Sequence, residues 1–118
     1  MKYIGIVGSR RRNTPEDYKL VKAKCLELYK DGDYIVSGGC PKGADAFAEL
    51  IAKNIQIPIM IHYAKWNMKG MGAGFERNGD IADKADILIA CVAPDRTGGT
   101  EDTIKKYNKS GKTELYIV

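Results

Sequence analysis

Three stretches of this sequence place glycine beside serine, threonine or arginine in the segment that follows an apolar run, a combination suited to holding a phosphate. In Gly8-Ser9-Arg10 the glycine lets the backbone approach a ligand, Ser9 offers a hydroxyl, and Arg10 offers a guanidinium fork matched to phosphate oxygens. Ser37-Gly38-Gly39-Cys40-Pro41-Lys42-Gly43-Ala44-Asp45 reads as a glycine-rich strand-to-helix turn. Its N–H groups and the helix start behind it suit an anion. The spacing matches neither a P-loop nor G-x-G-x-x-G. Gly98-Gly99-Thr100 is a second such turn, and both are expected to aim amide hydrogens into one crevice. Arg77 and Asn78 fall at the start of a third helix, where the arginine is expected to face that crevice. Trp66 lies in the glycine-rich stretch 62–76, which reads as a lid or binding loop; its indole would either stack on a base or plug the loop. Arg11 and Arg12 read as solvated surface, His62 as structural, Cys40 as an ordinary loop thiol, and Glu101 and Asp102 as first-turn acids that complement a helix dipole.

These residues need a scaffold, and the apolar runs supply one. Runs at 3–7, 34–36, 57–61, 87–92 and 115–118 are nearly continuous rather than alternating, the pattern of strands covered on both faces. Between them lie helical segments. Thr14-Pro15-Glu16-Asp17 is a start signal, with Thr14 as cap and Pro15 at the first helical position. Ala44, Phe47, Ala48, Ile51, Ala52 and Ile55 form one amphipathic stripe. Further helices are expected over 74–84 and 100–110, the last stopped by Gly111. The order β-α-β-α-β-α-β-α-β predicts an α/β fold, a single doubly wound domain over residues 1–118. Its five-stranded, mainly parallel sheet has helices on both faces. Such a sheet binds ligands beyond the carboxyl ends of its strands, where the three glycine stretches fall.

The bulk numbers narrow the function. The chain has 118 residues, 44% hydrophobic and 29% charged, as expected of an ordinary globular protein. A net charge of +4 suits an anionic ligand and falls short of a dedicated nucleic-acid footprint. Three cysteines without a C-x-x-C pair and one histidine argue against zinc. Reduced thiols, and no signal peptide or membrane span, point to the cytoplasm. No cofactor is expected. So small a domain leaves much surface exposed, which favours a homodimer or higher homo-oligomer.

Taken in order, Gly8-Ser9-Arg10, Ser37-Gly38-Gly39 with Gly43-Ala44-Asp45, Ala73-Gly74 with Arg77-Asn78, Ala85-Asp86 and Gly98-Gly99-Thr100 resemble the SLOG superfamily, and within it the compact YspA-like branch. This superfamily includes the DprA/Smf proteins and the LOG phosphoribohydrolases. The resemblance covers nearly the whole chain. It implies a Rossmann-like fold and a nucleotide-like small molecule held by Gly8, Ser9, Arg10, Ser37, Gly38, Gly39, Gly43, Asp45, Asn78, Gly98, Gly99 and Thr100. The first implied function is a sensing or sequestering module. The second is cleavage of a nucleoside 5′-monophosphate at its N-glycosidic bond, with Arg77 and Glu101 as catalytic residues. There the LOG glutamate's register falls on Thr103, not on Glu101. The third, ranked last, is association with single-stranded DNA in the manner of DprA, although the sequence lacks the aromatic interleaving of a strand-binding groove.

Overall fold

The computed structural model describes residues 1–66, 70 and 72–118. In chain order the elements are β1 (Tyr3–Gly8), α1 (Pro15–Leu28), β2 (Tyr34–Ser37), α2 (Ala44–Ile55), β3 (Ile59–Ile61), α3 (Gly72–Lys84), β4 (Ile87–Cys91), α4 (Gly99–Lys109) and β5 (Leu115–Ile117). The strands form one sheet in the order β3-β2-β1-β4-β5, with every neighbouring pair parallel. The chain winds outward from β1 to β3, then returns past β1 to β4. The topological switch point therefore lies between β1 and β4.

Alternate residues of each central strand feed opposite cores, which explains the continuous apolar runs. Ile4, Ile6, Ile35, Ile87 and Ile89 pack against α1 and α2 through Val21, Cys25, Ala48 and Ile51. Val7, Val36, Leu88 and Ala90 pack on the other face against Ile81 of α3 and Ile104 and Tyr107 of α4. The sheet is thus part of a Rossmann-like α/β structure, with α1 and α2 on one face and α3 and α4 on the other.

Local chemistry sets the element ends. At α1, the Thr14 hydroxyl accepts from the Asp17 amide at 3.1 Å, and Asp17 accepts from the Thr14 amide at 3.3 Å. This reciprocal box satisfies two otherwise orphaned donors. β3 is shorter than the apolar run over 57–61 predicts. The Ile57 amide closes the end of α2 on Ala52, and pairing with β2 begins only at Ile59. α3 begins at Gly72, so helix takes over part of the loop expected over 62–76; residues 67–69 and 71 lie outside those described. Arg12, expected to be solvated surface, is partly enclosed. It pairs with Asp17 at 2.9 Å and donates to the carbonyls of Val92 and Val118, tying the first loop to the end of β5. Among the described residues, no helix is long and apolar enough to cross a membrane.

Candidate functional site

A cavity of about 780 Å³ opens at the carboxyl edge of the sheet, over the switch point. That is within the ~300–1,000 Å³ usual for small-molecule sites. Gly8, Ser9 and Arg10 line it from the loop after β1. Gly38, Gly39 and Asp45 line it from the turn into α2, Arg77 and Asn78 from α3, and Gly98, Gly99 and Thr100 from the start of α4. Three predicted residues stand outside the lining. Ser37 is fully buried, with its hydroxyl 3.4 Å from the Asp45 carbonyl. Gly43 is packed under the loop after β1, where a Cβ would lie 2.8 Å from the Ser9 carbonyl. Glu101 points to Arg96, which donates to its two carboxylate oxygens at 2.8 and 3.0 Å.

The two glycine turns reach the same cavity but offer it different things. In the turn after β2 several of the amides serve the protein itself. Cys40 donates its amide to Asp45 at 3.1 Å, and Gly43 donates to Asn13 at 2.8 Å. An internal carboxylate, Asp45, thus takes up part of the donor set that this turn is expected to offer a ligand. Asp45 is 9% exposed, and burial pushes its pKa up. The Cys40 amide, Arg77 and the Gly38 amide act against that rise.

The turn before α4 stays open. Gly98 caps the helix at φ +106° and brings no side chain to the cap. Among the described residues nothing accepts from the amides of Gly99 or Thr100, whose places in the first helical turn leave them without an intrahelical acceptor. Thr100 is only 8% exposed, lines the cavity, and has no hydrogen bond to its hydroxyl among the described residues. Amides, hydroxyl and helix dipole together make this the anion-ready end.

Around that end the lining is cationic. Arg10, Arg11 and Arg77 contribute guanidinium groups against the single carboxylate of Asp45, among the described residues. Arg10 is exposed and unpaired among them. Arg77 is committed, donating to the Gly38 carbonyl at 2.8 Å and to Asn78 at 3.2 Å. Asn78 in turn donates to the Gly99 carbonyl and to Asp102, fixing α3 against the start of α4. Arg11, expected to be solvated surface, reaches across the crevice. It forms a fork with Asp95, at 2.9 and 2.7 Å, and donates to the Thr97 hydroxyl at 2.9 Å. Nothing local in the sequence marks that contact, because it spans 84 positions.

Part of the lining is aromatic. Tyr63, Trp66 and Phe75 are 65%, 58% and 60% exposed, yet all three border the cavity. Two of them rest on glycines. A Cβ on Gly39, whose φ is +76°, would lie 2.5 Å from the Tyr63 ring, and one on Gly74 would lie 3.0 Å from Trp66. The aromatic grouping that the sequence order hides is therefore assembled by the fold, from the loop after β3 and the first turn of α3. His62 lies off the lining; its Nε2 is buried without a partner among the described residues.

No protein-family model matches the chain, and no curated protein matches it. Among solved structures, its fold is similar to that of DNA processing protein A from Helicobacter pylori, a structure described for its single-stranded DNA binding mode. The TM-score is 0.76 at 21% identity over 98% of this chain, which spans 64% of the length of that one. At that identity the likeness establishes a shared fold.

Proposed function

We propose that the cavity binds a nucleotide, with its phosphate at the start of α4 and its base against Trp66 and Tyr63, in a protein of the SLOG superfamily and its compact YspA-like branch. One observation carries the reading. The unclaimed amides of Gly99 and Thr100 and the Thr100 hydroxyl border the same cavity as exposed aromatic rings, and Arg10, Arg11 and Arg77 line it too. An anion needs the first and a planar base the second. Calorimetric titration with thymidine 5′-monophosphate tests this. Micromolar to submillimolar binding is expected. Trp66→Ala should weaken it by about tenfold, since base stacking is worth ~1–3 kcal/mol. No binding by the wild type up to millimolar ligand would discard the reading.

The aromatic rim favours one second reading, a nucleotide unit within single-stranded DNA. The fold likeness to the H. pylori protein adds to it. An oligothymidine that binds more tightly than the mononucleotide, with a salt-dependent affinity, would favour the strand over the free nucleotide. Cleavage is supported less. Glu101 is engaged by Arg96 away from the cavity, and Thr103 lines it at the register of the LOG glutamate. Release of ribose 5-phosphate from a nucleoside monophosphate would move cleavage to first place.

A further inference from the structure

Arg11 and Asp95 belong to the loops after β1 and β4, the two strands that flank the switch point. Their fork bridges the crevice at 2.7 and 2.9 Å, and Thr97, which shares Arg11, immediately precedes the open Gly98-Gly99-Thr100 turn. Arg11 and Thr97 both line the cavity. The guanidinium that stands beside the anion-ready turn is thus already holding an anion, supplied by the protein. The geometry points to Asp95 as an internal competitor of the ligand: an incoming phosphate takes Arg11 from Asp95 and opens the bridge between the two loops.

Three features suit the pair to exchange. Its side chains are 53% and 55% exposed, so water screens the attraction, whereas the Arg12–Asp17 pair nearby is enclosed at 19% and 13%. Asp95 keeps partners when Arg11 leaves, because it also accepts from the Thr97 hydroxyl at 2.8 Å and the Thr97 amide at 3.2 Å. A phosphomonoester carries more charge than a carboxylate at neutral pH and matches the same planar fork. Hydrogen bonds from Arg11 and Thr97 hold the Asp95 pKa well below the usual carboxylate range, so the competitor stays ionised.

This inference rests on the nucleotide reading, and thymidine 5′-monophosphate is the probe for both. Asp95→Asn removes the competitor and should tighten binding roughly threefold to fivefold, the scale of an exposed ion pair. Arg11→Ala should weaken binding. In the Arg11→Ala background, Asp95→Asn should change affinity by less than about twofold, because the gain passes through Arg11. Weaker or unchanged binding in Asp95→Asn would overturn the exchange, the first by making Asp95 a support that positions Arg11. A gain that persists without Arg11 would also overturn it, leaving only repulsion between Asp95 and the ligand. A wild type that binds no probe ends the nucleotide reading, and the exchange with it. Binding without the expected coupling ends only the exchange.

Discussion

Arg77 donates to the carbonyl of Gly38 at 2.8 Å, and this bond joins the middle of α3 to the turn after β2. The glycine makes it possible. A Cβ on Gly38 would lie 2.8 Å from both Arg77 Nη1 and Asp45 Oδ2. One missing side chain thus lets a cation, a buried carboxylate and a main-chain carbonyl meet at one wall of the cavity.

Gly38→Ala should therefore damage the site more than the fold. The clashing atoms are side-chain ends, which can swing away at a cost of about 1 kcal/mol. Arg77 and Asp45 would move from the cavity wall as they do so. Affinity for thymidine 5′-monophosphate should fall at least about fivefold, while urea denaturation registers only the small stability loss. Unchanged affinity would show that the Arg77–Gly38 contact does not shape the binding wall.

Gly8→Ala should behave in the opposite way. Its Cβ would meet the Ala44 Cβ at 2.7 Å and the Cys91 Cβ and carbonyl at 2.9 Å, and all of these belong to the backbone or to short buried side chains. Nothing there can swing aside. The expected cost is about 1–3 kcal/mol of folding stability, read as a lower urea midpoint at unchanged m-value. From sequence this glycine looks like a ligand contact. In the structure it also lets α2 lie close to the end of β1.

Lys112 makes a third case, invisible in the sequence. Its ammonium donates to the carbonyls of Ala82, Asp83 and Ala85, at 3.0, 2.7 and 2.7 Å, where α3 ends. Three orphan acceptors and the negative end of a helix share one cation. Lys112→Met keeps the apolar stem and removes the donor, and should cost about 1–2 kcal/mol. A loss confined to a few tenths would mean that water replaces the ammonium at all three carbonyls.

The sheet was readable because its signal is local: each apolar run carries its own evidence of double burial, and Thr14, Pro15 and Asp17 announce α1 within four positions. The site was readable only as far as strand ends go. Residues following β1, β2 and β4 must cluster in a doubly wound fold, so Gly8, Gly38 and Gly98 could be nominated together. What each group bonds to could not be read. Whether the Cys40 amide serves a ligand or Asp45 depends on how α2 leaves the turn. Whether Arg11 is solvated or bridges to Asp95 depends on two loops far apart in the chain. The gathering of Tyr63, Trp66 and Phe75 likewise depends on α3 starting at Gly72, a boundary that composition placed two residues later.

Asp45 gives the molecule a pH signature of its own. Burial raises its pKa in the folded protein above the ordinary 3.8, against the opposing pull of the Cys40 amide and Arg77. The folded chain therefore holds this proton more tightly than the unfolded chain does. Its stabilising contribution is complete below 3.8 and is lost as pH rises through the folded value. Asp17 works on the other side. Bonds from Thr14 and Arg12 outweigh burial and lower its pKa, so its contribution is present above 3.8 and disappears as acid protonates it. The two effects separate along the pH axis at the unfolded value. Asp45→Asn keeps an oxygen for the Cys40 amide but cannot titrate. Urea denaturation from pH 4 upward should show the wild type losing stability relative to this variant as pH rises, with the difference levelling off once the folded carboxyl is ionised. Parallel profiles for the two proteins across that range would mean that Asp45 feels no net burial penalty, and that its neighbours already repay the charge in full.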